Sequence, residues 1–144
     1  MRRSAGLITR RSLVFGAVML CGAPRVHAQN GATLNVEQAY DLAAAGQIIL
    51  LDIRRPDEWL YTGSGAGAHR LDMRRPDFTA ALDGLLDGDR SRPVALICAR
   101  GVRSKRMADR LRAAGFSGVL DVPEGMLGSD AGIGWIELGL PLVK

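Results

Sequence analysis

The sequence predicts an α/β fold with a mostly parallel central sheet of about five strands, flanked by helices on both faces. Two observations support this. Strand-like and helix-like patterns alternate over residues 33–142, which is typical of parallel sheets with crossover helices. The runs at 48–53 and 93–97 are continuously apolar, as expected of strands covered on both faces. A chain of 144 residues is long enough for one domain with its own core.

The first half of the fold begins with a helix that Asn35 caps. Gln38 stands three residues later and completes a capping-box pattern, and the helix should end near Gly46. The strand at 48–53 places Asp52 near its carboxyl end, and Pro56 is suited to open a short helix. The glycine-rich segment 62–68 is predicted to be a loop. It lacks the lysine and the strand-to-helix context of a phosphate-binding loop.

The second half continues the alternation of helices and strands. Apolar residues at helical spacing predict a helix over residues 80–86, ended by the Asp-Gly-Asp at 87–89. The strand at 93–97 leads into a predicted helix over 104–112, with Gly115 as its C-cap, and then into a strand at 118–122. Trp135, in the closing segment, is expected to pack on the core.

Residues 1–28 have the pattern of a signal peptide. A basic start precedes an apolar run at 13–21 and the sequence Val26-His27-Ala28, which predicts cleavage near Ala28 and a folded domain over 29–144. Residues 9–14 resemble a twin-arginine signal. The apolar run is too short to span a bilayer comfortably, so we expect a periplasmic protein with no stable membrane insertion after cleavage.

The charge distribution argues against a nucleic-acid partner. The formal net charge is +4, but the first 28 residues hold five arginines and no acidic residue. The rest of the chain has 14 basic against 15 acidic residues, so its net charge is near zero.

Once the signal peptide is removed, Cys98 is the single remaining cysteine, and an internal disulfide is excluded. Cys98 stands where the strand at 93–97 ends and a helix begins. Unpaired N–H groups and the positive end of the helix dipole at such a junction stabilise a thiolate. Arg100 and Arg103 add positive charge that would attract an anion, and Gly101 lets the loop turn sharply. We interpret Cys98 as a nucleophile in a cationic loop; the alternative is a buried, inert thiol.

These motifs together resemble the single-domain rhodanese family of thiosulfate sulfurtransferases, in an exported form. The segment 51–59 resembles the family's early Asp-x-Arg motif, and Gly67-Ala68 its Gly-Ala step. The sequence Cys-Ala-Arg-Gly-Val-Arg-Ser at 98–104 resembles its active-site loop, and Gly125, Trp135 and residues 139–141 resemble its C-terminal motif. The resemblance covers most of residues 33–142.

The resemblance implies that Cys98 takes a sulfur atom from a small anionic donor such as thiosulfate and holds it as a persulfide. An acceptor such as cyanide, a thiol or a protein thiol would then remove it. The loop residues would bind the substrate, and no metal or organic cofactor is implied. These predicted binding residues are Ala99, Arg100, Gly101, Val102, Arg103 and Ser104. Asp52, Arg54 and Glu58 are interpreted as an ion-paired cluster that fixes the strand-to-helix turn.

Two alternatives to a sulfurtransferase remain. The sequence has Gly63-Ser64-Gly65 where the family commonly has Gly-His-Ile, and Gly125-Met126 where it has a glycine pair. These replacements would alter the rim of the pocket around Cys98. Such a pocket would also suit a non-catalytic rhodanese-like module that binds a partner in the cell envelope. The second alternative is a cysteine phosphatase. Four residues separate Cys98 from Arg103, whereas the related phosphatases have five, so the shorter loop favours sulfur over phosphate.

Overall fold

The structure is a computed structural model and describes residues 32–144. The predicted signal peptide and its cleavage site near Ala28 lie outside the described residues. The elements run in the order α1 (Val36–Ala44), β1 (Ile49–Asp52), α2 (Pro56–Thr62), β2 (Ser64–Gly65), β3 (Ala68–Arg70), α3 (Phe78–Leu85), β4 (Val94–Ile97), α4 (Val102–Ala113), β5 (Val119–Val122) and β6 (Leu142–Val143).

The predicted α/β fold with a parallel central sheet is confirmed. The sheet has four parallel strands in the order β3-β1-β4-β5, rather than about five, and β2 pairs with β6 in a separate antiparallel ribbon. The strands β2 and β3 lie in or next to the segment predicted as a loop. Two or three residues are too few to show the alternation by which strands are recognised in a sequence.

Sequence patterns predicted the longer helices, α1 and α4, close to their observed bounds. In α1 the capping box is formed, with the Gln38 N–H donating to Asn35 Oδ1 at 2.8 Å and the Asn35 N–H donating to Gln38 Oε1 at 3.1 Å. Helix α4 begins at Val102, two residues earlier than predicted, because Gly101 takes the N-cap position with a φ of 82°. The first turn of α4 therefore follows Cys98 closely.

The sheet separates two apolar cores, since successive residues of a strand point to opposite faces. Leu51, Leu96 and Cys98 face the core that α3 and α4 cover. Leu50 and Ile97 face the opposite core, which contains residues of α1 and the closing segment. Helices thus cover both faces, as the continuous apolar strands predict.

Trp135 is fully buried in the second core, as predicted. Its Nε1–H donates to the Pro141 carbonyl at 3.0 Å, and its ring meets that of Tyr40 edge-on at 5.7 Å. The ring lies so close to Gly65 that a Cβ there would be 2.6 Å from it. The glycine that replaces the family's usual apolar residue therefore leaves room for the indole.

The carboxyl ends of β1, β4 and β5 meet at one edge of the sheet because the three strands are parallel. Asp52, Cys98 and Asp121 lie at or next to these ends. In open parallel sheets, this edge is where binding sites form. Among residues 32–144, no helix is both long enough and apolar enough to cross a membrane.

Candidate active site

The loop after β4 is held in place by the segment that follows β5. The Met126 N–H donates to the Cys98 carbonyl at 2.8 Å, and the Leu127 N–H donates to the Ala99 carbonyl at 2.9 Å. Gly101 approaches the same segment so closely that a Cβ there would be 2.1 Å from the Pro123 carbonyl oxygen. This contact and the positive φ both require glycine at position 101.

The Cys98 thiol lies beneath this loop, against the first turn of α4. The backbone N–H of Ser104 donates to Sγ at 3.4 Å, and Sγ is 3.5 Å from the Ser104 hydroxyl oxygen. That hydroxyl donates to the Gly101 carbonyl at 3.0 Å. Only 1% of Cys98 is exposed. The backbone N–H and the start of the helix favour negative charge on Sγ.

The loop presents a row of unused backbone donors. Within residues 32–144, five consecutive N–H groups have no hydrogen-bond acceptor: those of Ala99, Arg100, Gly101, Val102 and Arg103. Consecutive free N–H groups at a turn into a helix form a concave site for an anion. The predicted binding residues from Ala99 to Ser104 are thus together in one loop, and their backbone rather than their side chains provides most of the polar groups.

Arg103 is engaged with Glu58 of α2. Its Nη1 and Nη2 donate to the two carboxylate oxygens at 2.8 and 2.7 Å, with 33% of the arginine side chain and 18% of the glutamate exposed. These bonds from Arg103 hold the pKa of Glu58 at about 2, although partial burial acts in the opposite direction. Of the predicted cluster, Asp52 and Arg54 are ion-paired with each other. Glu58 is instead paired with Arg103 and Arg55, and the charge of Arg54 acts on it without a hydrogen bond. Its hydrogen bonds go to Arg103 and to the Arg55 backbone.

Asp52 and Arg54 form a buried ion pair below the site. Arg54 Nη2 donates to Asp52 Oδ2 at 2.8 Å, and both side chains are at most 1% exposed. The same guanidinium donates to Thr62 Oγ1 at 2.9 Å and to the Gly63 carbonyl at 2.6 Å. It therefore links the end of β1 to the end of α2, the helix that carries Glu58.

Arg100 and Val102 lie on the outside of the loop. Arg100 is exposed, and its Nη1 donates to the Gly128 carbonyl at 3.3 Å, close to the upper limit for a hydrogen bond. Val102 is 69% exposed. Of the two loop arginines, Arg100 is the one with no carboxylate partner in the part of the chain that the structure describes.

Two buried carboxylates at this edge were not singled out from the sequence. Asp121, near the end of β5, is 5% exposed, and Glu124 is 9% exposed. Each has one oxygen, Asp121 Oδ1 and Glu124 Oε2, without a hydrogen-bond partner among the described residues. Burial raises the pKa of Asp121, while the nearby polar side chain of Ser104 and the charge of Arg112 oppose the rise. The signal that singles out Asp52, an acid at the end of an apolar strand, also applies to Asp121.

No cluster of three or more His, Cys, Asp or Glu side chains within residues 32–144 has the arrangement of a metal site. The loop and its surroundings provide a thiol, a row of N–H donors, the Ser104 hydroxyl and two arginines.

Comparison with known proteins agrees with this fold. The chain is similar to a rhodanese-related protein from Thermoplasma volcanium, at 27% identity over 78% of this chain and 97% of that one, with a TM-score of 0.56. It is also similar to the polysulfide-sulfur transferase homodimer of Wolinella succinogenes, at 27% identity over 79% of both chains, with a TM-score of 0.58.

A third similar structure shows the fold alone. It is a protein from Rhodopseudomonas palustris described as a possible tyrosine phosphatase, with 22% identity over 79% of this chain and 86% of that one and a TM-score of 0.59. Among curated proteins no match was found. The sequence model of the rhodanese-like domain matches residues 35–129, which include the loop at Cys98. The chain therefore belongs to the rhodanese-like domain family.

Proposed function

We propose that this protein is a sulfurtransferase that carries a sulfane sulfur on Cys98. The observation that carries the proposal is the row of five free N–H groups that follows a thiol already bonded to the Ser104 N–H at 3.4 Å. Such a row suits the negative charge of a persulfide or of a bound anionic donor. The similarity to a polysulfide-sulfur transferase supports the same chemistry.

The reaction has two displacements at sulfur. The Cys98 thiolate attacks the outer sulfur of the donor, a new S–S bond forms, and the donor's own S–S bond breaks with its electron pair leaving on sulfite or on a shortened polysulfide. An acceptor, cyanide or a thiolate, then attacks the outer sulfur of the persulfide. Cys98 leaves as a thiolate, ready for the next cycle.

The burial of Cys98 limits what can react with it. Because only 1% of the residue is exposed, a donor has to present a narrow terminal sulfur, as thiosulfate and polysulfide do. Arg100 is the better candidate to attract such an anion, since both terminal nitrogens of Arg103 already bond Glu58. We assign Arg100 to donor binding and Arg103 to positioning the loop.

The test is the intact mass of the protein before and after incubation with thiosulfate or polysulfide, for the wild type and for Cys98→Ala. We expect the wild type alone to gain one sulfur atom, and cyanide to remove it. The two proteins differ only at position 98, so the difference in mass gain reports on Cys98. No gain with either donor would overturn the proposal.

Arg106, in α4, provides a matched control for the role of Arg100. Arg106 is exposed and has no hydrogen bond or ion pair in the described part of the chain. We expect Arg100→Gln to slow sulfur uptake from thiosulfate several-fold and Arg106→Gln to leave it unchanged. Equal effects would mean that general surface charge, rather than Arg100, attracts the donor.

A binding module without catalysis is the second candidate, and the near-complete burial of Cys98 is the observation that favours it. It predicts no persulfide and slow alkylation of Cys98. A phosphatase would instead hydrolyse an aryl phosphate, which we expect this protein not to do.

We also propose that the protein is exported to the periplasm, on the basis of the signal-peptide pattern of residues 1–28. N-terminal sequencing of protein isolated from a bacterial periplasm should then begin at Gln29. Recovery of the uncleaved chain from the cytoplasm would overturn this part of the proposal.

A further inference from the structure

We propose that a cavity between α3 and α4 binds a small aromatic acid, that is, one anionic group carried on one ring-sized apolar body. The cavity has a volume of about 160 Å³. No residue of the loop from Cys98 to Ser104 lines it. The inference therefore goes beyond the proposed function and does not depend on it.

The two walls of the cavity come from segments that are distant in the sequence. One wall belongs to the segment 73–79, which leads into the first turn of α3. The other is a single face of α4, because the lining residues at positions 107, 110, 111 and 114 are three or four residues apart. The packing of α3 beside α4 thus creates a concave site on the helical surface.

The floor of the cavity is apolar. Phe78, Met107 and Leu111 are at most 5% exposed and belong to the core between the sheet and these two helices. Met73 packs against the same core. Thioether groups adapt to the shape of a neighbour and make favourable contacts with aromatic rings. An apolar cavity of about 150 Å³ holds one benzene molecule, so a single ring suits the volume found here.

The rim of the cavity is cationic. Arg75 and Arg110 both line it, and of the described residues that line it none is acidic. Arg110 is exposed, and its guanidinium has no hydrogen bond or ion pair within residues 32–144. The nearest acid of α4, Asp109, is paired with Lys105 and Arg112 instead. A guanidinium without a partner above an apolar floor suits the carboxylate of a small acid.

Arg75 has a partner that a ligand would compete with. Its Nε and Nη2 donate to the two carboxylate oxygens of Asp77 at 2.9 and 2.7 Å, and the two side chains are 48% and 54% exposed. A pair as exposed as this one contributes little, so a bound carboxylate can share Arg75 with Asp77.

The start of α3 adds to the attraction for an anion. Asp77 is the N-cap residue of α3, but its side chain makes no capping hydrogen bond. The N–H of Thr79, which also lines the cavity, has no acceptor among residues 32–144. Free N–H groups and the positive end of a helix dipole favour negative charge. An inorganic anion would leave the apolar floor unfilled, and a neutral ring would leave Arg110 without a partner, so an aromatic acid satisfies both.

The test follows the isotope-labelled methionine methyl groups of the intact chain by NMR during titration with benzoate. We expect saturable shifts of Met73 and Met107, which line the cavity. Met126 is buried in the opposite core and its N–H bonds the Cys98 carbonyl, so its methyl signal should not move. Benzamide, a neutral molecule of the same shape, should bind about tenfold more weakly because the charge-assisted bond is lost. Shifts of Met126 alone, equal binding of benzamide, or no saturable shift would overturn the inference.

Three variants identify the groups that hold the anion. Arg110→Gln should weaken benzoate binding at least about fivefold. Arg106→Gln removes an exposed arginine of the same helix that does not line the cavity, and should leave binding unchanged. Asp77→Asn releases Arg75 and should tighten binding, a gain that damage to the fold would not produce. Equal effects of the two arginine variants, or weaker binding by Asp77→Asn, would overturn the inference.

Discussion

Arg103 and Glu58 form a two-bond ion pair that joins the Cys98 loop to α2. The two arginine nitrogens donate to the two carboxylate oxygens at 2.8 and 2.7 Å, across 45 positions of the sequence. The pair lies next to a buried one, Asp52–Arg54, whose guanidinium also bonds the end of α2. The strand, the short helix and the Cys98 loop are therefore connected by charge-assisted bonds, which are among the stronger hydrogen bonds in proteins.

Glu58→Gln tests what this connection contributes. The substitution keeps the side-chain shape but removes the charge, and we expect the free energy of unfolding to fall by about 1–2 kcal/mol, between the values for exposed and buried charged hydrogen bonds. Sulfur transfer should also slow, because Arg103 and the loop are held less firmly. Denaturant unfolding and turnover measure the two effects. Asp57→Asn, which removes an exposed neighbour on α2, is the control and should change neither.

Lowering the pH should remove the stabilisation that the Glu58–Arg103 pair provides, over a defined pH range. The pKa of Glu58 is about 2 in the folded protein against an ordinary value of 4.5, chiefly because Arg103 donates to it. Its stabilisation is therefore complete above pH 4.5 and is lost as the pH falls from 4.5 towards 2. The difference in unfolding free energy between wild type and Glu58→Gln should shrink over this range. A difference that is constant from pH 7 to pH 2 would contradict the assignment.

The Asp121 carboxyl should make the stability of the protein depend on pH in the opposite direction from Glu58. Burial raises its pKa in the folded protein, so folding favours the protonated acid and stability falls as the pH rises above 3.8 through the folded value. We expect Asp121→Asn to be more stable than the wild type at neutral pH and to lose that advantage near pH 3. Thermal unfolding across this range measures the change. A variant less stable than the wild type at neutral pH would show that the ionised carboxylate stabilises the fold.

Sequence patterns predicted those features that depend on neighbours in the chain. The Asn35–Gln38 capping box and the placement of Cys98 at a strand-to-helix junction are set within a few residues. The partner of Glu58 could not be read from spacing, because Arg54, Arg55 and Arg103 are all arginines and only the folded loop brings Arg103 within bonding distance.

The environment of Asp121 also depends on the folded chain. Its burial results from the pairing of β5 with β4 on one side and with residues 32–34 on the other. The two- and three-residue strands β2, β3 and β6 are defined by their pairing partners alone. These features follow from tertiary contacts, which no local pattern contains.

Gly101→Ala should disrupt the loop far more than an alanine at a matched glycine. Gly101 and Gly67 have nearly equal φ values, 82° and 80°, so the backbone strain of an alanine is similar at both. A Cβ at Gly101 would be 2.1 Å from the Pro123 carbonyl oxygen, whereas nothing lies within 4 Å of one at Gly67. We expect Gly67→Ala to cost about 1 kcal/mol and Gly101→Ala at least twice that, with loss of sulfur transfer. Equal losses of unfolding free energy in the two variants would mean that the Cys98 loop moves easily enough to accommodate a Cβ at position 101.

The chain has two Asp-x-Arg ion pairs, Asp52–Arg54 and Asp72–Arg74. We expect burial, rather than hydrogen-bond geometry, to decide how much each pair contributes to the free energy of unfolding. Arg54 bonds Asp52 through its N, Nε and Nη2 atoms, and Arg74 bonds Asp72 through the same three atoms. Arg54 is 1% exposed, whereas Arg74 is 60% exposed. Asp52→Asn leaves a buried guanidinium without a counter-charge and should cost about 3–5 kcal/mol, enough to unfold much of the protein. In Asp72→Asn, water solvates the released arginine, so denaturant unfolding should change little. Equal losses in the two variants would mean that the shared turn geometry, and not the buried charge, supports the site.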